Sequence, residues 1–161
     1  MSAFIEEKKS SGITDVPGFQ SVGTSCDVRD KKDDRLDLAL IFSPTPCAAA
    51  GVFTKNAVSA APVNLCQELL RVENQFHGVV VNSGNANACT GEHGMKDAWS
   101  MQFSAASACN TPPETFFVCS TGLYNFKISL ADRNCSYVTC SFCFTLINSS
   151  CTICISHLCS F

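Results

Sequence analysis

The stretch His77 to Gly91, HGVVVNSGNANACTG, does most to limit what this chain can fold into. Val79, Val80 and Val81 form the clearest core strand, because an unbroken run of β-branched residues suits a strand buried on both faces. The run stops at Asn82, and residues 82–91 hold three asparagines and two glycines. Asparagine side chains bond nearby backbone and tolerate left-handed φ, so Asn82, Asn85 and Asn87 predict a rigid Asx-rich turn. From Glu92 to Cys109, Met95, Ala98, Trp99, Phe103 and Ala106 recur at helical intervals and predict a helix whose apolar face is core. Strand, loop and helix in this order belong to an α/β domain, and the loop stands where such domains position ligands. It lacks G-x-G-x-x-G and GK[ST], which weighs against a nucleotide, and it reads as scaffold more than substrate contact.

The rest of residues 1–122 fits the same α/β class. Pro17 and Gly18 open an alternating segment, VPGFQSVGTSC, and LDLALIFS has the continuous apolar character of a buried strand. Between them DVRDKKDDR, residues 27–35, predicts a solvated hairpin or loop. Small residues then lead into the β-favouring GVFT, and Pro62 precedes a short helix around Leu65 to Val72. TPPETFFVCSTG combines a capping-box pattern at Thr111 to Glu114 with a strand that follows so closely that any helix there is a single turn.

Length and charge exclude other classes. A chain of 161 residues with 46% hydrophobic and 16% charged positions can bury one sizeable core. A net charge of -3 and a pI near 5.5 provide no basic stripe, so no nucleic acid is expected as a partner. Every apolar stretch is interrupted by Ser, Thr, Asn or Cys before it could span a membrane, so none is expected. Glu6 and Glu7 fall where a secretory leader would be apolar, and the start lacks the character of an organelle presequence. The expectation is that the chain stays where it is made.

Composition changes after Gly122. Residues 123–161 contain no Gly, Pro or Glu and only one Asp, and they carry six of the twelve cysteines. Without turn residues or charge, this segment lacks the local consistency of an evolved domain and is expected to be a poorly ordered tail, as from a non-coding or frame-shifted stretch. The division is therefore 1–122 and 123–161. In the tail, Cys140 and Cys143 form one C-x-x-C and Cys151 and Cys154 another, a thiolate set that can hold zinc. Their separation is shorter than usual and no turn glycine assists, so the expectation is no metal. His77, His93 and His157 read as packing or solvated residues, and Cys89 and Cys119 as small buried hydrophobes.

Three blocks, LDLALIFSPTPCAAAGVFTKNAVSAAPV, VVVNSGNANACTGEHG and PPETFFVCSTG, resemble in order and spacing the N-terminal part of ornithine acetyltransferase, also called glutamate N-acetyltransferase. The resemblance spans residues 11–122. It implies the N-terminal portion of an α/β sandwich of the self-cleaving, N-terminal-threonine acetyltransferase type. Members of that family cut themselves before an internal threonine, whose own α-amine then serves as base. Acetyl passes from N-acetylornithine to the threonine and on to glutamate, in arginine biosynthesis, with no cofactor. The resemblance assigns the oxyanion hole to this chain, with Thr121 donating through its hydroxyl and Gly122 through its backbone N–H.

It also exposes a deficit. The family nucleophile follows an alanine, and this sequence has no Ala-Thr dipeptide; Thr139, Thr145 and Thr152 follow Val138, Phe144 and Cys151. The residues after the motif, LYNF, also depart from the expected Gly-containing continuation. The expectation is an enzyme fragment with part of an oxyanion site and no nucleophile, whose partner is the missing C-terminal β chain of a hetero-oligomer. The expected compartment is the cytoplasm, or a mitochondrion or plastid for a eukaryotic relative. Two rivals are a related self-cleaving aminopeptidase and a non-enzymatic domain with a zinc-binding or interaction tail.

Overall fold

The computed structural model describes residues 12–26, 28, 34–123 and 152–156. Within them the strands are β1 (Gln20–Thr24), β2 (Leu38–Val52), β3 (Phe76–Asn85), β4 (Phe116–Leu123) and β5 (Thr152–Ser156). The helices are α1 (Ala61–Val72) and α2 (Gly91–Cys109), with one-turn 3-10 helices at Ile13–Asp15 and Pro113–Thr115. The sheet runs β1-β2-β3-β4, and β5 lies against β2. The class is α/β, as expected.

β1 and β2 form an antiparallel hairpin, paired from Gln20 with Phe42 to Thr24 with Leu38. Asp37 closes it: the residue is 5% exposed, and its carboxylate accepts the backbone N–H of Cys26 at 2.7 Å and of Val28 at 2.8 Å. A buried charge is tolerated because both carboxylate oxygens are satisfied. The connection predicted over 27–35 therefore joins a hairpin; residues 27 and 29–33 lie outside the described set.

β2 is longer than the sequence predicts, joining LDLALIFS and GVFT into one strand. Pro44 and Pro46 lie between the two parts and cannot donate to a ladder. Pairing with β3 accordingly runs antiparallel from Leu38–Asn82 to Phe42–Gly78, then shifts and resumes at Cys47–Phe76. Beyond the shift, Ala48 to Val52 pairs in parallel with β5.

β3 and β4 are parallel from Gly78–Phe116 to Asn85–Leu123, so a crossover must join them, and α2 supplies it. Both helices dock through small or apolar residues. In α1, Val63, Leu65, Cys66 and Leu69 are buried, and the Cys66 thiol donates to the Val118 carbonyl at 3.2 Å. In α2, Ala98, Met101, Gln102, Ala105 and Ala106 are buried, and Gln102 Nε2 donates to the Phe116 carbonyl at 3.0 Å. Trp99 and Phe103, expected in that apolar face, are instead 52% and 62% exposed. Alanines let α2 approach the sheet closely, and one residue further round the helix, about 100°, already points outward.

The core lies between helices and sheet, with Phe76, Phe116, Phe117, Met101, Val63, Val79 and Val118 fully buried. Phe76 and Phe117 stack with ring centroids 4.2 Å apart. Each such side chain stabilises the fold by about 1.5–3 kcal/mol. The single turn predicted near Thr111 is present, but Thr111 does not cap it; its hydroxyl donates to the Ala106 carbonyl at 3.4 Å. No helix among the described residues is long and apolar enough to cross a membrane. The expectation for the tail falls largely on residues outside the described set, the exceptions being Leu123 and Thr152–Ser156.

Candidate active-site cleft

Thr121 and Gly122 sit at the C-terminal end of β4, where both are solvent exposed. Gly122 has φ +136° and pairs with Gly84, whose φ is +135°. A Cβ on Gly122 would overlap the Gly84 carbonyl carbon and lie 2.5 Å from the Asn85 nitrogen. Only glycine satisfies both the backbone angle and this approach. Glycine here thus fixes the end of the β3–β4 ladder.

The corner borders a cleft with a cavity volume of about 60 Å³. The segment between β2 and α1 contributes Thr54, Val58, Ser59 and Ala60; α1 contributes Val63; the loop after β3 contributes Ala86 and Ala88; β4 contributes Ser120, Thr121 and Gly122. All three sequence blocks therefore reach one place. Among the described residues no titratable side chain lines the cleft, so the chemistry they offer is that of neutral hydrogen-bond donors and acceptors.

The asparagine loop builds one wall. Asn85 and Asn87 are 2% and 1% exposed, and Asn85 Oδ1 accepts the Asn87 N–H at 3.1 Å, an Asx turn. Asn87 then spans the loop: its Nδ2 donates to the Gly94 carbonyl at 2.9 Å and its Oδ1 accepts the Thr90 hydroxyl at 2.6 Å. Asn87 and Cys89 take φ of +44° and +58°. Polar side chains turned inward leave Ala86 and Ala88 facing the cleft, which is a scaffold arrangement.

Asn82 behaves differently from its expected place in that turn. It lies inside β3, fully buried, with neither Oδ1 nor Nδ2 partnered among the described residues. The register sets it beside Ser120, whose buried hydroxyl is likewise unpartnered. Sequence reasoning missed Ser120, although it directly precedes Thr121. It also missed the lining residues Thr54, Val58, Ser59 and Ala60, which carry no chemical signature.

The other singled-out groups lie elsewhere. His77 Nδ1 is 2.8 Å from the Ser43 carbonyl and its ring stacks on Phe42, which is a packing role. His93 is exposed on α2, and burial raises the carboxyl of its neighbour Asp97 above the ordinary range while the histidine opposes the rise. Cys119 is fully buried as expected, whereas Cys89 is exposed, on a loop residue with φ +58°. Cys26 and Cys47 are disulfide-bonded. Among the described residues no group of His, Cys, Asp and Glu could hold a metal; His157, Cys140, Cys143 and Cys151 lie outside them.

The model of the ArgJ family matches residues 20–133. The chain belongs to the ArgJ family. It is 47% identical over 122 residues to the arginine biosynthesis bifunctional protein ArgJ of Symbiobacterium thermophilum, covering 75% of this chain and 30% of that one. For the ArgJ of Shouchella clausii the identity is 44% over 119 residues, covering 73% of this chain and 28% of that one. The chain thus spans under a third of these ArgJ relatives' length. Among solved structures it is similar to the Bacillus halodurans ArgJ, with a TM-score of 0.68 and 36% identity over 75% of this chain and 62% of that one. It is also similar to the Mycobacterium tuberculosis ornithine acetyltransferase complexed with ornithine, with a TM-score of 0.69 and 38% identity over 74% of this chain and 64% of that one.

Proposed function

We propose that this ArgJ-family chain supplies the oxyanion corner of an acetyl exchange between N-acetylornithine and glutamate. The nucleophilic threonine comes from the family segment that follows the matched part. The observation that supports this reading best is the convergence of three sequence blocks on one cleft ending at Thr121 and Gly122.

The chemistry follows from what acyl transfer requires. Attack on the acetyl carbonyl turns its oxygen into an oxyanion, and fixed donors aimed at that atom lower the barrier. Thr121 offers a hydroxyl and Gly122 an N–H that no Cβ shields. The site needs no charged residue for this step, which agrees with a cleft lined by neutral groups. A threonine whose α-amine takes its proton completes the set. Glutamate accepts the acetyl group once ornithine has left. The partner in this proposal is the second chain of a hetero-oligomer, the compartment the cytoplasm, and the working unit residues 1–122, where the composition changes.

The test is reconstitution. The 161-residue chain is co-expressed with an ArgJ segment beginning at the family threonine, and transfer of labelled acetyl from N-acetylornithine to glutamate is followed. Transfer by the pair and none by the chain alone is expected. Exchange by the purified chain alone, or peptide hydrolysis without transfer by the pair, would overturn the proposal.

A further inference from the structure

Among the described residues the two exposed aromatic side chains, Trp99 and Phe103, lie one turn apart on α2, 52% and 62% exposed. α1 leads into β3 and α2 leaves it, so both helices run opposite to that strand and parallel to each other, and they touch. Both start beside the cleft, which Ala60 and Ala88 line. At 1.5 Å per residue, Val72 of α1 and Phe103 of α2 lie at the same level, roughly 17 Å further along. Val72, 66% exposed, thus extends the aromatic pair into one patch across the helix layer. Single apolar residues are ordinary on a surface, but a tryptophan, a phenylalanine and a valine grouped at one level have the composition of an interface centre. Ser100 and Ser104 are exposed beside the rings, and the Ser104 hydroxyl donates to the Ser100 carbonyl at 2.8 Å, so its polarity is spent inside the helix. The rim is charged: Glu68 and Arg71 of α1 and Glu92 and Lys96 of α2 are all exposed.

We infer that this face packs against a second copy of the chain about a two-fold axis, with Trp99 and Phe103 at the centre of the contact. A two-fold contact sets one surface against itself, so a rim of a single sign would repel and a balanced rim is required. Two acids and two bases supply that balance, and each acid of one copy has a base to meet in the other. A partner of strong net charge would call for a rim of one sign instead. The small serines beside the rings leave hollows that the other copy's rings fill. Size sets the strength. α1 has 12 residues and α2 has 19, so their outer faces are about 18 Å and 28 Å long and about 10 Å wide. That gives about 450 Å² per copy and about 900 Å² for the pair, just under the roughly 1,000 Å² that a stable specific interface clears. The dimer is therefore reversible, forms at micromolar concentration and closes at two copies. It does not depend on acetyl exchange, since none of its residues lines the cleft.

The experiment is sedimentation velocity of the 161-residue chain from about 1 to about 200 µM, a range that brackets a weak contact. Free thiols are alkylated so that no intermolecular disulfide forms, and emission of Trp99, the only tryptophan, is read in parallel. A passage from monomer to dimer with no larger species is expected, with Trp99 emission moving to shorter wavelength over the same range. Phe103→Lys raises the midpoint concentration roughly 10-fold or more, as for the loss of a central aromatic anchor. Leu36→Lys, at a residue 71% exposed outside the helix layer, leaves it unchanged. Both positions are exposed, so both variants keep the fold, which circular dichroism melts check. Arg71→Glu with Lys96→Glu makes the rim wholly acidic and weakens the dimer; mixing that chain with one carrying Glu68→Lys and Glu92→Lys restores association. A chain that stays monomeric throughout, an equal loss in Leu36→Lys, or assemblies beyond two copies would overturn the inference. So would a Trp99 emission that shifts only when the family's C-terminal segment is added, which would give the face to that segment.

Discussion

Replacing Gly122 by alanine separates a corner that merely turns the chain from one that fixes the end of the sheet. Gly122 has φ +136°, and holding a non-glycine residue in a sparsely populated backbone region costs about 1–3 kcal/mol. The new Cβ would overlap the Gly84 carbonyl carbon and lie 2.5 Å from its oxygen and 2.5 Å from the Asn85 nitrogen. All three are backbone atoms, so no side chain can swing aside and the strands must separate. Overpacking of this kind costs about another 1–3 kcal/mol. The sum is about 4 kcal/mol, which for an ordered region of this size lowers the melting midpoint by roughly 15 °C or more. Gly18→Ala is the control, since Gly18 has φ +93° and a Cβ there would meet no atom within 4 Å, leaving only the backbone part. Thermal melts of the full chain by circular dichroism decide it. Equal midpoint losses in the two variants would refute the role of the Gly84 contact.

Three other perturbations probe the frame around the cleft. Phe117→Ala removes a fully buried ring stacked on Phe76 and is expected to cost about 3–5 kcal/mol in urea unfolding; a loss under about 1 kcal/mol would contradict its place in the core. Asn87→Ala deletes the bonds to Gly94 and Thr90 and strains a left-handed position, so about 2 kcal/mol should be lost, with faster amide exchange at residues 85–94 as the local readout. Burial, opposed by His93, raises the Asp97 carboxyl in the folded chain. The unfolded state therefore ionises first, and stability declines as pH rises from the ordinary carboxylate range through the raised value; Asp97→Asn should abolish that part of the decline in melts taken across acidic pH.

Much of the fold was legible because its signals are local. Val79 to Val81 mark the central strand through β-branching alone, and Pro62 marks the start of α1. The length of β2 was not legible, because a strand that passes Pro44 and Pro46 by shifting register depends on its neighbours. Trp99 and Phe103 were misplaced because periodicity establishes that a helix has an apolar arc but not how alanines rotate that arc against a sheet. At the cleft, Thr121 and Gly122 were found through resemblance. Asn85 and Asn87 were found through turn chemistry. Asn82 was assigned to that turn but lies inside β3, and Ser120 was missed, since a serine in a strand carries no pattern until register sets it beside Asn82. The lining from Thr54 to Ala60 is a property of assembly, made by small residues that leave space.

Steady-state kinetics of Thr121→Ala in the reconstituted pair test the oxyanion role of this corner most directly. With the hydroxyl removed and the neighbouring glycine intact, kcat should fall on the order of 100-fold to 1000-fold while KM for N-acetylornithine stays within about 3-fold, because the lost bond strengthens only as charge develops on the acetyl oxygen. An unchanged kcat, or a loss confined to KM, would contradict it.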